Sequence, residues 1–116
     1  MNHKILIVED NIIAQRITKL IINSLGDEAV IVNSGLQALQ ELQNHHYDLA
    51  IMDIGLPDVD GITIMETLRE CGNNTPVIGL TAHDEVTDDT IFAKPFTRTL
   101  YQNILCHLTP PVAEAC

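Results

Sequence analysis

The segment LAIMDIGLPDVDG, residues 49–61, combines an apolar run with a polar loop that begins at an aspartate. Leu49 to Met52 form an uninterrupted apolar run, which is typical of a strand buried on both faces of a sheet. The run ends at Asp53, and a loop containing glycine, proline and aspartate follows at once. Because ligands bind at the carboxyl ends of strands in an open parallel α/β sheet, Asp53 is a candidate site residue. A solvated acid that simply ends a strand would give the same pattern.

Short apolar runs alternate with amphipathic segments along the rest of the chain. The sequence predicts strands at 4–8, 28–32, 48–52, 75–80 and 90–93. It predicts helices over about 12–25, from the Ser34 capping box onward, over about 61–70 and over about 97–108. The first helix is indicated by apolar residues at helical spacing, namely Ile13, Ile17, Leu20, Ile21 and Leu25. This alternation predicts a doubly wound α/β fold with a parallel sheet and helices on both faces.

Length and composition restrict the class of protein. The 116 residues suffice for one domain with a real core, and 46% apolar against 3% aromatic residues make that core aliphatic. We assign 1–108 to the domain and 109–116, which contains two prolines, to a tail or linker. No apolar run has membrane-spanning length, the N-terminus lacks a signal pattern, and three cysteines without metal-like spacing favour a reducing compartment. We therefore expect a cytoplasmic location without membrane insertion.

The net charge of the chain indicates which ligands it is expected to bind. The chain has 16 acidic and 6 basic residues, which gives a formal net charge of −10. A phosphate backbone is repelled by such a surface, so we expect no direct nucleic acid binding. The same excess of acids indicates a cation if several carboxylates converge.

The predicted topology brings such residues together. All parallel strands point their carboxyl ends to one edge, where the sequence places Glu9 and Asp10, Asp53, Thr81 and Lys94. Oxygen ligands without histidine or cysteine suit a hard cation, and Mg²⁺ needs only a few carboxylates. A lysine can bind a phosphoryl oxygen, and a carboxylate can act as a nucleophile and become an aspartyl phosphate. Asp53 is the candidate for phosphorylation.

Four motifs, in this order, resemble the receiver domain of two-component response regulators. They are ILIVEDN at 5–11, LAIMDIGLPDVDG at 49–61, PVIGLTAH at 76–83 and AKPF at 93–96. The resemblance implies a flavodoxin-like fold with strand order 2-1-3-4-5. It implies that Asp53 is the phosphoacceptor, Thr81 the switch hydroxyl and Lys94 the phosphate-binding lysine. Glu9 and Asp10 become the metal-binding acids, and a backbone carbonyl near Gly55 adds a ligand to Mg²⁺.

The resemblance also implies a function. Such a domain accepts a phosphoryl group from a histidine kinase or a phosphotransfer histidine, and it switches a downstream partner or an attached domain. It is not an enzyme in the usual sense, since transfer and dephosphorylation are self-catalysed. The subtype looks most like receivers of hybrid sensor histidine kinases, and homodimer formation stays open. The alternative is a degenerate receiver that acts only as a protein-interaction module.

Two other functions fit less well. A phosphatase that uses an aspartyl phosphate requires a second acid two residues after the nucleophile, where this chain has Gly55. A dinucleotide binder requires a glycine-rich turn after the first strand, where Glu9, Asp10 and Asn11 would repel a phosphate.

The chain departs from the receiver pattern near its fourth and fifth strands. Only 12 residues separate Thr81 from Lys94, and HDEVTDD, residues 83–89, has no apolar stripe, so the usual fourth helix is expected to be shortened or unobserved. The position three before the lysine, usually aromatic, is Ile91, and Phe92 follows it. His83 is a further candidate for tuning phosphate hydrolysis. The resemblance also predicts a cis peptide between Lys94 and Pro95.

Overall fold

The structure, a computed structural model, describes residues 3–53, 61–73, 75–81, 91–93 and 96–108, with the backbone alone at 61, 62, 65, 91–93, 107 and 108. The strands are β1 (Lys4–Val8), β2 (Glu28–Val32), β3 (Leu49–Asp53), β4 (Val77–Thr81) and β5 (Ile91–Ala93). The helices within this part of the chain are α1 (Ile12–Ser24), α2 (Gly35–Asn44), α3 (Gly61–Glu70) and α4 (Arg98–Leu108). None of the helices in the described part of the chain has the length and hydrophobicity of a membrane span.

The five strands form one parallel sheet with the order β2-β1-β3-β4-β5. This order confirms the predicted doubly wound, flavodoxin-like fold. It places β1 and β3 side by side at the centre, where the chain reverses its direction of winding. The carboxyl ends of these two strands, at Val8 and Asp53, therefore lie next to each other at the edge where such folds bind ligands.

Alternation along β1 divides the core into two halves. Ile5 and Ile7 pack toward α1 and α4, whereas Leu6 and Val8 pack toward α2 and α3. Because successive side chains of a strand point to opposite faces, an apolar run without interruption requires cover on both sides. The helices supply this cover with the following buried residues: Ile22, Tyr101 and Ile104 on one face, and Ala38, Leu42, Ile64 and Leu68 on the other.

The face that α1 buries differs from the one its sequence spacing indicated. Ile13 and Leu20 are each 70% exposed and Ile17 is also exposed, whereas Ile22 is fully buried. Ile21 and Leu25 pack against the core as expected. The helix has apolar residues on two adjacent faces. Helical periodicity alone therefore assigned three of the five residues named for this helix, Ile13, Ile17 and Leu20, to a face that is exposed.

Local contacts stabilise the ends of α1 and α2, and the cap at Ser34 was predicted from the sequence. Asn11 is the N-cap of α1, and its side chain accepts a hydrogen bond from Ala14 N–H at 3.0 Å. Ser34 is the N-cap of α2 and accepts from Gln37 N–H at 3.2 Å. Gly26 follows α1 with a φ of 87°, a left-handed conformation that glycine adopts without strain. These caps fix where α1 begins and ends and where α2 begins relative to the sheet.

Candidate functional site

Three carboxylates converge at the carboxyl edge of the sheet. One carboxylate oxygen from each of Glu9, Asp10 and Asp53 lies within 4.8 Å of the other two. Glu9 is buried, Asp53 is half-buried and Asp10 is exposed, so the cluster opens from the core toward solvent. The arrangement confirms that the predicted topology brings these three acids together.

Strand pairing places Glu9 beside Asp53. Val8 pairs with Met52 in the parallel ladder, and each of the two acids directly follows one member of this pair in the chain. Glu9 N–H also donates to Val32 O at 3.1 Å, which continues the contact of β1 with β2 by one residue. The main chain at Glu9 is therefore held by the sheet, although the residue lies just beyond β1.

The start of α1 positions Asp10. This residue directly precedes the N-cap Asn11, whose backbone N–H donates to Glu9 Oε2 at 3.3 Å. The N-terminal end of a helix carries the positive end of its dipole and favours nearby negative charge. The helix start thus offsets part of the repulsion between the converging carboxylates.

Thr81 lies at the end of β4, on the strand adjacent to Asp53. Asp53 pairs with Leu80, so Thr81 is one residue beyond that pair and is half-buried. Thr81 itself pairs with Ala93, the last residue of β5, and Lys94 follows in the chain. Lys94 and Gly55 lie outside the described residues, as do His83, residues 82–90 and the Lys94–Pro95 peptide. The predictions made for them stay predictions.

The donor set of the cluster is made of oxygen. Within the described part of the chain, the group of potential metal ligands is Glu9, Asp10 and Asp53, without histidine or cysteine. Two oxygens on opposite sides of Mg²⁺, each about 2.1 Å from the ion, are about 4.2 Å apart. Carboxylate oxygens within 4.8 Å of one another therefore need only small side-chain adjustments to bind such an ion. The residues present fit a hard divalent cation.

One residue next to the cluster was not predicted from the sequence. Gln15, in the first turn of α1, donates through Nε2 to Glu9 O at 2.6 Å and to Asn33 Oδ1 at 2.7 Å. The spacing from Glu9 to Gln15 gives no recognisable motif, and the partner Asn33 is on a different loop. The available signal was a polar side chain in the first turn of α1, three positions before the buried Thr18.

A separate cavity of about 510 Å³ lies at the opposite edge of the sheet. It is lined by residues before β3 and β4, including His45, His46, Asp48 and Pro76. In the portion of the chain that the structure describes, these side chains form no cluster of three potential metal ligands. The converging acids, rather than this cavity, are the candidate functional site.

The fold and the site define a doubly wound α/β protein with a carboxylate cluster at its topological switch point. The family model for the response regulator receiver domain matches residues 5–98. The chain belongs to this family, and it is a receiver domain of two-component systems.

Characterised relatives include regulators and sensor kinases. The chain is 33% identical over 119 residues to the transcription factor SKN7 of Candida albicans, covering 94% of this chain and 21% of that protein. It is 34% identical over 116 residues to the sensor protein TorS of Escherichia coli, covering 90% of this chain and 12% of TorS. The chain thus spans about a fifth or less of the length of these two relatives.

Solved structures agree with this assignment. The receiver domain of the sensor histidine kinase PA1611 from Pseudomonas aeruginosa superposes with a TM-score of 0.84 at 32% identity. The match covers 93% of this chain and 98% of that one, and that structure has a magnesium ion coordinated in its active site cleft. The receiver domain of the Francisella response regulator 1452 superposes with a TM-score of 0.82 at 27% identity, covering 92% of this chain and 96% of that one.

Proposed function

We propose that this receiver domain accepts a phosphoryl group on Asp53, with Mg²⁺ bound by Glu9, Asp10 and Asp53. The observation that carries the proposal is the convergence of the three carboxylates, within 4.8 Å, at the carboxyl edge of the sheet. The magnesium ion in the related PA1611 receiver domain supports the choice of metal. When bound, Mg²⁺ would neutralise charge on the transferred phosphoryl group.

In the proposed transfer, Asp53 is the nucleophile and Glu9 is the neighbouring acid held beside it. A carboxylate oxygen of Asp53 forms a bond to phosphorus while the bond from phosphorus to the donor's imidazole nitrogen breaks. The bonding electron pair leaves with that nitrogen, which then takes a proton. Asp53 is half-buried, which leaves its acceptor oxygen accessible to the donor. Glu9, the acid beside it, is held in place by its backbone hydrogen bond to Val32 O.

Two further side chains and one backbone carbonyl complete the proposed site. Thr81, at the end of β4 and adjacent to the strand that ends in Asp53, would donate a hydrogen bond from its hydroxyl group to a phosphoryl oxygen. Lys94, for which the sequence resemblance is the support, would pair with another phosphoryl oxygen. A backbone carbonyl near Gly55 would add a ligand to the metal.

Residues 1–108 would form the receiver domain, with 109–116 as a tail or linker.

Proteins of two kinds would interact with this domain. The donor would be a histidine kinase or a phosphotransfer protein, as the similarity to a sensor protein and to the receiver domain of a sensor histidine kinase suggests. The output would be a downstream protein or an attached domain. Because a phosphoacceptor domain is a switch that is modified, the domain is not proposed as an enzyme with a separate substrate.

A mass measurement tests the phosphoacceptor. Incubation with Mg²⁺ and a small phosphodonor should add one phosphate to the intact chain, and the modification should be labile, as expected of an acyl phosphate. Asp53→Asn should abolish it while leaving the fold intact, since amide and carboxylate are nearly the same size. Glu66→Gln, on the exposed face of α3, is the matched control and should be labelled like the unchanged chain.

Two outcomes would contradict the proposal. Undiminished labelling of Asp53→Asn would show that another residue accepts the phosphoryl group. Absence of labelling in the unchanged chain would favour the degenerate receiver that acts only as an interaction module.

A further inference from the structure

We propose that Gln15 is a positioning residue of the metal site, which holds the peptide between Glu9 and Asp10 in the conformation that Mg²⁺ requires. The inference rests on the metal binding proposed above. It assigns a role in metal selectivity to a side chain that itself contributes no metal ligand.

Both hydrogens of one amide group are used in this arrangement. Gln15 Nε2 donates to Glu9 O at 2.6 Å and to Asn33 Oδ1 at 2.7 Å. Gln15 is half-buried, so water competes only partly for its bond to Glu9 O, whereas its bond to Asn33 is exposed. Its own backbone is fixed, since Gln15 N–H donates to Asn11 O at 2.9 Å in the first turn of α1.

The bond to Glu9 O completes the restraint of that residue. The N–H of Glu9 is held by Val32 O, and its carbonyl oxygen is held by Gln15. The carbonyl of Glu9 belongs to the peptide that joins Glu9 to Asp10. A rotation of this peptide moves the two acidic side chains relative to each other, and the bond from Gln15 opposes such a rotation.

The second bond connects the metal site with the loop after β2. Asn33 accepts from Gln15 through its side chain, and its backbone N–H donates to Gln37 Oε1 at 2.8 Å. The chain of contacts therefore runs from Glu9 through Gln15 and Asn33 to Gln37 in α2. This support from a second loop restricts Gln15 to the orientation in which it can hold Glu9 O.

The consequence for metal binding differs between cations. Mg²⁺ demands near-ideal octahedral geometry, whereas Ca²⁺ accepts a flexible arrangement at longer distances. Residues that orient metal ligands without contacting the ion typically change metal affinity by about 10- to 100-fold. Loss of the Gln15 bonds should therefore weaken Mg²⁺ binding more than Ca²⁺ binding. A purely structural role would weaken both equally, through loss of folded protein.

The test compares Gln15→Met with Gln37→Met, two replacements of the same size and charge. Gln15→Met removes both bonds of the amide, whereas Gln37→Met removes a contact one step further from the acids. Dissociation constants for Mg²⁺ and Ca²⁺ are measured by titration of backbone amide NMR signals, and thermal unfolding without metal reports stability. We expect Gln15→Met to weaken Mg²⁺ binding about tenfold, with a clear fall in the preference for Mg²⁺ over Ca²⁺. Gln37→Met leaves the bond from Gln15 to Glu9 O in place and should therefore change this preference far less than Gln15→Met does.

A second pair, Gln15→Glu and Gln37→Glu, keeps the test informative if the methionine variant at position 15 folds poorly. Each adds one negative charge, but only Gln15→Glu replaces a donor by an acceptor, because Gln37 already accepts through Oε1. An unchanged ratio of Mg²⁺ to Ca²⁺ affinity in both variants at position 15 would overturn the inference and leave the phosphoacceptor proposal intact. Failure of the unchanged chain to bind Mg²⁺ would instead remove the proposed metal site, and this inference with it.

Discussion

At the level of single residues, the buried carboxylate of Asp27 connects the N-terminal part of the described chain with its last helix through hydrogen bonds. Asp27 accepts from His3 N–H at 2.8 Å and lies 3.2 Å from His3 Nδ1. Its other oxygen accepts from the hydroxyl group of Tyr101 in α4. A buried charge is stable only when hydrogen bonds replace its hydration, and these contacts do so for Asp27.

The Tyr101 phenol should make stability depend on pH at the alkaline end. Burial, and then the hydrogen bond to Asp27, raise the pKa of Tyr101 above its usual value. In the unfolded chain a tyrosine loses its proton near pH 10. The folded state therefore keeps a proton that the unfolded state releases, so the contribution of Tyr101 is full below pH 10 and declines above it. The decline should approach about 1.4 kcal/mol per pH unit.

Urea unfolding of the unchanged chain and of Tyr101→Phe between pH 8 and 11 measures this decline. The difference in unfolding free energy between the two proteins should be constant below pH 9 and should shrink above pH 10. Other titrating groups largely cancel, since both proteins contain them. A difference that stays constant to pH 11 would show that the phenol ionises equally in both states.

What the sequence could reveal about such residues depends on the separation of the partners. Ser34 and Gln37 are three residues apart, and their contact could be predicted from the capping motif. Asp27 and Tyr101 are 74 residues apart, and no local pattern marks them as partners. Glu9 and Asp53 were predictable despite their separation, because a parallel sheet brings its strand ends to one edge.

At the scale of elements, α1 has more apolar surface than the core can cover. Ile12, Ile13, Ile17 and Leu20 are exposed, while Thr18 and Ile22 are buried. The strands were predicted to within one or two residues at each end, because their apolar runs end abruptly at polar residues. The orientation of α1 could not be predicted in the same way, since its contacts with β2 and α4 decide which of two apolar faces turns inward.

Two isoleucines of α1 provide a matched comparison of these faces. Ile22→Ala should destabilise the protein by about 2–5 kcal/mol, because it opens a cavity in a fully buried position. Ile17→Ala should change stability by no more than about 0.5 kcal/mol, since the side chain is exposed and alanine favours a helix. Chemical denaturation of the two variants decides between the faces. Equal losses would mean that both contribute to the core.

At the scale of the whole molecule, the acid cluster adds to an already large negative charge. The formal net charge is −10, and three of the 16 acidic residues converge within 4.8 Å. Like charges this close repel one another, so the folded state without a cation is destabilised at the site that is proposed to bind one. A functional site that lowers stability when empty is a common compromise in proteins.

Mg²⁺ should therefore stabilise the folded protein. Asp53→Asn should weaken this stabilisation by Mg²⁺ and should make the protein more stable when no metal is present. At a free Mg²⁺ concentration 100 times the dissociation constant, binding to the folded state alone contributes about 2.7 kcal/mol. If Asp53→Asn weakens binding about 100-fold, the contribution at the same concentration falls to about 0.4 kcal/mol. Without Mg²⁺, Asp53→Asn should be the more stable protein, because one of three mutually repelling charges is gone.

Glu70→Gln, at the last residue of α3, removes one charge away from the cluster and should keep the full response to Mg²⁺. Urea unfolding with and without Mg²⁺, at an ionic strength matched with KCl, separates specific binding from screening. A response to Mg²⁺ that is the same in Asp53→Asn and Glu70→Gln would show that the ion acts on the overall charge and not at the carboxylate cluster.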